Sequence, residues 1–165
     1  LDYQKQENSF KIHPAIYAYI AYNEAISKYV LRTRYDGKKP NADPRKWEMA
    51  SKVLYKTGKP EMLRALIGED LTRNFIAFCT QKVLSIEDVL NENYSEEDLK
   101  MDTSKKYITI VNLSLVDEEN VEVIRDFVAK LGKELLATFY LLWTHGDETR
   151  LEKIAELKLE KNLKK

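Results

Sequence analysis

The feature that most constrains this chain is a helix start at residues 41–48, which read Asn-Ala-Asp-Pro-Arg-Lys-Trp-Glu. Asp43 is suited to the N-cap position, where its carboxylate accepts hydrogen bonds from backbone N–H groups that have no partner inside the helix. Pro44 then occupies the first helical position, where its missing N–H costs nothing. Apolar residues recur at three- and four-residue steps from Trp47 to Leu54, so the sequence predicts a helix packed against a core.

Arg45 follows in the first turn of this predicted helix. A cation is unfavourable beside the positive end of the helix dipole unless an anion also binds there. One interpretation is therefore that Arg45 faces a negatively charged ligand. The alternative is an ordinary surface arginine, solvated or neutralised by Asp43 or Glu48 on its own helix.

Composition favours an all-α fold. The 165 residues include only five glycines and four prolines, which indicates few turns. Apolar residues at helical spacing predict a first helix from Pro14 with an inner face that includes Tyr19, Tyr22 and Ile26. Further helices are expected from Pro60, from Glu69 and at residues 133–145, and residues 32–42 are expected to form an exposed loop.

Residues 107–111 are ambiguous, because Tyr-Ile-Thr-Ile-Val has strand propensity yet Ile108, Val111 and Leu115 also fit one helical face. No partner strand is recognisable and a lone strand is not stable, so we predict a helix here. Asp117 is predicted to cap the next helix, which Gly132 should end.

Charge and cysteine content limit the classes of function. Twenty-seven basic and 27 acidic residues cancel, which argues against nucleic-acid binding. Cys79 is the single cysteine, so an internal disulfide is excluded and a reducing compartment is expected. The longest apolar run, Leu135–Trp143, is far shorter than the roughly 20 residues of a membrane span. We expect a soluble, cytoplasmic protein, and Leu1 in place of Met is compatible with a piece of a longer chain.

Motifs for independent catalysis are absent from the sequence. Gly37-Lys38 and Gly58-Lys59 lack the upstream glycine and the hydroxyl residue of a phosphate-binding P-loop. His13 and His145 are the only histidines, and with one cysteine they offer no metal-ligand cluster. No serine nucleophile motif is present. We therefore predict no catalytic and no metal-binding residues in this chain.

Three blocks in order resemble the helical lid of MoxR-like AAA+ ATPases. They are residues 12–20 (Ile-His-Pro-Ala-Ile-Tyr-Ala-Tyr-Ile), residues 43–51 (Asp-Pro-Arg-Lys-Trp-Glu-Met-Ala-Ser) and residues 66–78, which run from Leu-Ile-Gly-Glu-Asp to Phe-Ile-Ala-Phe. One bacterial branch of that family has a His-Pro-Ala helix, then a Pro-Arg-x-Trp-Glu helix, then a glycine turn and an aromatic helix. The resemblance covers about residues 12–82 and is faint beyond them.

This resemblance implies that Arg45 is the sensor-two arginine, which reaches the terminal phosphate of ATP bound in an upstream domain. ATP and Mg²⁺ would be bound by the full-length protein, with its P-loop outside this chain. The chain alone would then be inactive as an ATPase. The resemblance also implies a homo-oligomeric, hexameric ring with chaperone-like activity on a protein containing a von Willebrand A-type domain.

The predicted organisation is a lead-in at residues 1–11, a lid-like helical domain at 12–82 and a C-terminal helical extension at 83–165. The leading hypothesis is that this region couples ATP binding and hydrolysis in the upstream domain to remodelling of a protein partner. The main alternative is a helical protein-interaction module with no nucleotide role. A nucleic-acid-binding domain is a third reading, favoured only by local groups such as Lys38-Lys39. The client and the role of residues 83–165 are left open.

Overall fold

A computed structural model describes residues 12–26, 30, 42–145 and 147–163, and within these ranges the chain is all-α, with no strand. The helices are α1 (Pro14–Ala25), α2 (Pro44–Thr57), α3 (Arg64–Ile67), α4 (Glu69–Cys79), α5 (Ile86–Leu90), α6 (Glu96–Leu99), α7 (Thr103–Leu113), α8 (Val121–Leu131), α9 (Lys133–Trp143) and α10 (Glu148–Leu163). A short 3₁₀ helix, Pro60–Leu63, leads into α3. The all-α prediction is confirmed, and residues 107–111 lie within α7.

The chain divides into two compact units. The first unit contains Ile12–Val83 and Asp102–Ile108. The second contains Leu84–Met101 and the described residues from Thr109 onward. The predicted domain boundary at residues 82–83 stays a prediction. The predicted lead-in at 1–11, and the predicted exposed loop apart from Ala42, lie outside the described residues. The prediction is wrong for Ala42, which is fully buried just before the cap of α2.

Aromatic side chains form the core of the first unit. The Tyr19 ring lies 5.4 Å from Phe75, 5.5 Å from Phe78 and 5.9 Å from Trp47, measured between ring centroids. All four side chains are almost inaccessible to solvent. Large rings bury much apolar surface, and edge-to-face contacts between them add further stabilisation. This cluster therefore holds α1, α2 and α4 against one another.

In the second unit, α8 and α9 pack against each other through their apolar faces. Val121, Ile124, Val128 and Leu131 are buried on α8, as the sequence predicts, and the helix ends at Gly132. The buried indole Nε1 of Trp143 donates to the Val116 carbonyl oxygen at 2.8 Å. That bond fixes the end of α9 to the segment that follows α7.

Three further local predictions are wrong. Helix α1 ends at Ala25, so Ile26 is its half-exposed C-cap and not part of a buried face. Leu115 lies two residues beyond the end of α7 and its side chain is 72% exposed. Asp117 does not cap α8, because its carboxylate accepts from the Asn120 backbone N–H at 3.0 Å and closes a turn before the helix.

Candidate functional site

The N-terminus of α2 has the predicted cap. Asp43 is in an extended conformation (φ −72°, ψ 167°), and its Oδ1 accepts from the Lys46 backbone N–H at 2.9 Å. Pro44 is the first helical residue. At the other end Gly58 takes a left-handed conformation (φ 63°), which glycine adopts at little cost. Both ends of α2 are therefore fixed by local caps, and the sequence predicts the first of them.

The inner face of α2 holds this helix in the first unit. Trp47 is 1% exposed, and its indole Nε1 donates to the Val30 carbonyl oxygen at 3.3 Å. Ser51 is fully buried, and its Oγ accepts from the His13 backbone N–H at 2.7 Å. These contacts set the rotation of α2 about its axis, and so determine which residues face solvent.

Arg45 lies on the solvent face of α2, in its first turn, and is exposed. It forms no ion pair with an acidic residue of the described part of the chain. The other arginines of that part each pair with a carboxylate: Arg64 with Glu69, Arg73 with Asp70, Arg125 with Asp126, and Arg150 with Asp147. The sequence-based alternative in which Asp43 or Glu48 neutralises Arg45 through a close ion pair does not occur.

The electrostatics at this helix end favour an external anion. The first turn of α2 contains no acidic residue, and Arg45 is followed by Lys46. Helix α4, by contrast, begins with Glu69 and Asp70. Arginine is suited to phosphate binding because its charge is permanent and its planar guanidinium can donate two parallel hydrogen bonds to one phosphate. The Arg45 guanidinium, which faces solvent here, can therefore bind a phosphate or a carboxylate.

A separate cleft of about 370 Å³ lies within the first unit. Helix α1 contributes Tyr19, Tyr22 and Asn23 to its wall. The remaining lining residues are Asn74, Ala77, Phe78, Gln81 and Ser104. Burial raises the pKa of Tyr19 to about 12, so the phenol is neutral at physiological pH. No lining residue is charged or belongs to α2, so this cleft is distinct from the surface that carries Arg45.

The surroundings of His13 and Cys79 indicate structural roles for both side chains. His13 is the N-cap of α1, and its Nδ1 accepts from the Ala15 backbone N–H at 3.2 Å, a role that the sequence analysis missed. Burial raises the pKa of the half-buried Cys79 thiol to about 12, so the reactive thiolate is suppressed. No group of three or more potential metal ligands occurs among the described residues.

Comparisons with known proteins returned no matching family model, no matching curated protein and no matching solved structure. Within the part of the chain that the structure describes, no helix has both the length and the apolar character that crossing a membrane requires.

Proposed function

We propose that this chain is the C-terminal lid and helical extension of a MoxR-like AAA+ ATPase. In this role it couples ATP binding and hydrolysis in an upstream P-loop domain to remodelling of a protein partner. Arg45 contacts the terminal phosphate of the nucleotide. The observation that carries the proposal is that Arg45, at the start of a capped helix, is exposed and forms no ion pair with any residue that the structure describes.

The physical basis of the coupling is electrostatic. A guanidinium and the N-terminus of α2 together attract the charge of a terminal phosphate. Hydrolysis removes that charge from the contact, so the lid loses one of its attachments to the nucleotide-binding domain. A rigid lid then converts loss of the contact into domain rotation. The buried indole of Trp47 and the buried hydroxyl of Ser51 support this rigidity, because both tie α2 to the rest of its unit.

The order of the three sequence blocks is the second support. Residues 12–20 begin α1, residues 43–51 begin α2, and residues 66–78 cover the turn between α3 and α4. The arginine of the Pro-Arg pair is thus at a helix start, where the resemblance requires it.

The test is an Arg45→Ala substitution in the full-length polypeptide that contains the P-loop domain. Removing hydrogen bonds to a charged group costs about 1.5–3 kcal/mol, which corresponds to about a 10- to 150-fold loss of ATP turnover. Arg73→Ala is a matched control, because Arg73 is exposed in the same unit and makes only a surface ion pair with Asp70. Its turnover should stay within about twofold of wild type.

Two results would reject the proposal. One is unchanged turnover in Arg45→Ala with a correctly folded protein. The other is a natural reading frame in which no P-loop domain precedes Leu1.

A further inference from the structure

Aromatic side chains form part of the cleft in the first unit, which the proposed function does not use. The Tyr22 and Phe78 rings stack with their centroids 5.6 Å apart and their planes 19° apart. Phe78 is 3% exposed, whereas Tyr22 is only half-buried, so part of the Tyr22 side chain is open to solvent. The cleft therefore offers a flat apolar surface on which another ring can stack.

Neutral hydrogen-bonding groups supply most of the remaining lining. Asn23, Asn74 and Gln81 carry carboxamides, and Ser104 carries a hydroxyl. Asn23 is 5% exposed, and its Nδ2 donates to the Tyr19 carbonyl oxygen at 2.7 Å, so its amide is held in one orientation. Asn74 is exposed, and its side chain forms no hydrogen bond with another described residue. The Asn74 amide is therefore available to a ligand.

The charges around the cleft exclude an anionic ligand. None of the described residues that line it is charged. Ser104 Oγ lies 2.8 Å from Gln81 Oε1 and donates to Asp102 Oδ1 at 2.7 Å. The hydrogen bond from Ser104 holds the pKa of Asp102 below its usual value, so this carboxylate is ionised at neutral pH. A negative charge thus lies directly behind the lining, and no lining cation offsets it.

We propose that this cleft binds a small, uncharged aromatic ring that carries a carboxamide group. The ring stacks on Tyr22 and Phe78, and its carboxamide both donates to and accepts from the amides of Asn74 and Gln81. The volume of about 370 Å³ lies within the range of about 300–1,000 Å³ that small-molecule sites occupy. No lining residue belongs to α2, so this inference is independent of Arg45 and of the nucleotide proposal.

The experiment is an NMR titration of the 165-residue chain with benzamide, followed through backbone and side-chain amide signals. Binding should shift the signals of Asn74, Gln81 and Ser104 and leave those of α8 unchanged. A Kd of about 1 mM is expected for a ligand of this size. Benzoate keeps the ring but has a carboxylate in place of the amide, so it should bind at least about tenfold more weakly. Cyclohexanecarboxamide keeps the amide but lacks the flat ring, and should bind about two- to tenfold more weakly.

Substitutions separate the hydrogen-bonding part of the site from the stacking part. Asn74→Ala removes one amide without breaking a hydrogen bond between described residues, and should raise the Kd for benzamide about two- to tenfold. Asn93→Ala is the matched control, because it makes the same change at an exposed residue of the second unit, and its Kd should equal that of wild type. Tyr22→Leu removes the stacking ring and should also raise the Kd about two- to tenfold. Circular dichroism checks that this variant is folded, and the comparison with cyclohexanecarboxamide tests stacking without any substitution.

Three outcomes would overturn the inference. Benzamide at about 10 mM, well above the expected Kd, leaves the signals of the cleft residues unshifted. Benzoate binds as tightly as benzamide, which would indicate an anion site. Asn74→Ala binds benzamide as tightly as wild type does. None of these measurements involves a nucleotide, so each result leaves the proposal for Arg45 unchanged.

Discussion

Replacing Asp43 by alanine tests how firmly the N-terminus of α2 is held. The Asp43 carboxylate accepts a hydrogen bond from the Lys46 backbone N–H at 2.9 Å, and its charge lies at the positive end of the helix dipole. Loss of an N-cap costs about 1 kcal/mol, and loss of the charge–dipole interaction costs about another 0.3–1 kcal/mol. Asp43→Ala should therefore destabilise α2 by about 1.3–2 kcal/mol. Asp43→Asn, which keeps the cap acceptor, should cost only about 0.3–1 kcal/mol.

Hydrogen exchange measured by mass spectrometry on peptides covering residues 44–57 can read this difference. At about 1.4 kcal/mol per factor of ten, protection should fall about 10- to 30-fold in Asp43→Ala and about two- to fivefold in Asp43→Asn. Peptides from α8, in the other unit, serve as the internal reference and should not change. Equal losses in the two variants, or no loss in either, would refute the role assigned to the cap.

Three further predictions concern other parts of the molecule. Trp143→Phe should lower the free energy of unfolding by about 1–3 kcal/mol in a denaturant titration, because the buried Val116 carbonyl loses the indole N–H. Burial raises the pKa of Tyr19 to about 12 from its ordinary value of 10.0. As the pH rises, the Tyr19 phenol therefore loses its proton in the unfolded chain before it does so in the folded protein. The contribution of neutral Tyr19 to the free energy of unfolding should therefore be complete below about pH 10 and be lost as the pH rises toward 12. Unfolding curves measured across this range should show a smaller loss of stability for Tyr19→Phe than for wild type. Glu92 has a positive φ of 54°, where glycine is less strained, so Glu92→Gly should leave the melting temperature unchanged or higher, whereas Glu92→Val should lower it.

The sequence predicts a helix end well where a few neighbouring residues form the whole cap. The Asp-Pro pair at residues 43–44 marks the start of α2 correctly, and Gly132 marks the end of α8 correctly. Such signals act through hydrogen bonds and dihedral angles within one turn, so they need no tertiary information. The exposed position of Arg45 also follows from helical spacing once Trp47 is assigned to the buried face.

The errors arose where two local structures compete. Asp117 can cap a helix or close a turn, and the structure uses it for the turn with Asn120. Leu115 was assigned to a helical face by its spacing from Ile108 and Val111. Helix α7 ends at Leu113, however, and beyond that residue helical spacing no longer determines burial. Coordinates were likewise needed to show that Arg45 forms no ion pair with Asp43 or Glu48, because both carboxylates lie within one or two helical turns of it in the sequence.

The most direct test of nucleotide sensing by Arg45 compares the affinities of the full-length protein for ADP and for a non-hydrolysable ATP analogue. If Arg45 contacts the terminal phosphate, Arg45→Ala should weaken binding of the triphosphate by about tenfold or more and leave ADP binding unchanged. Equal effects on both nucleotides, or no effect on either, would contradict the claim that Arg45 senses the terminal phosphate.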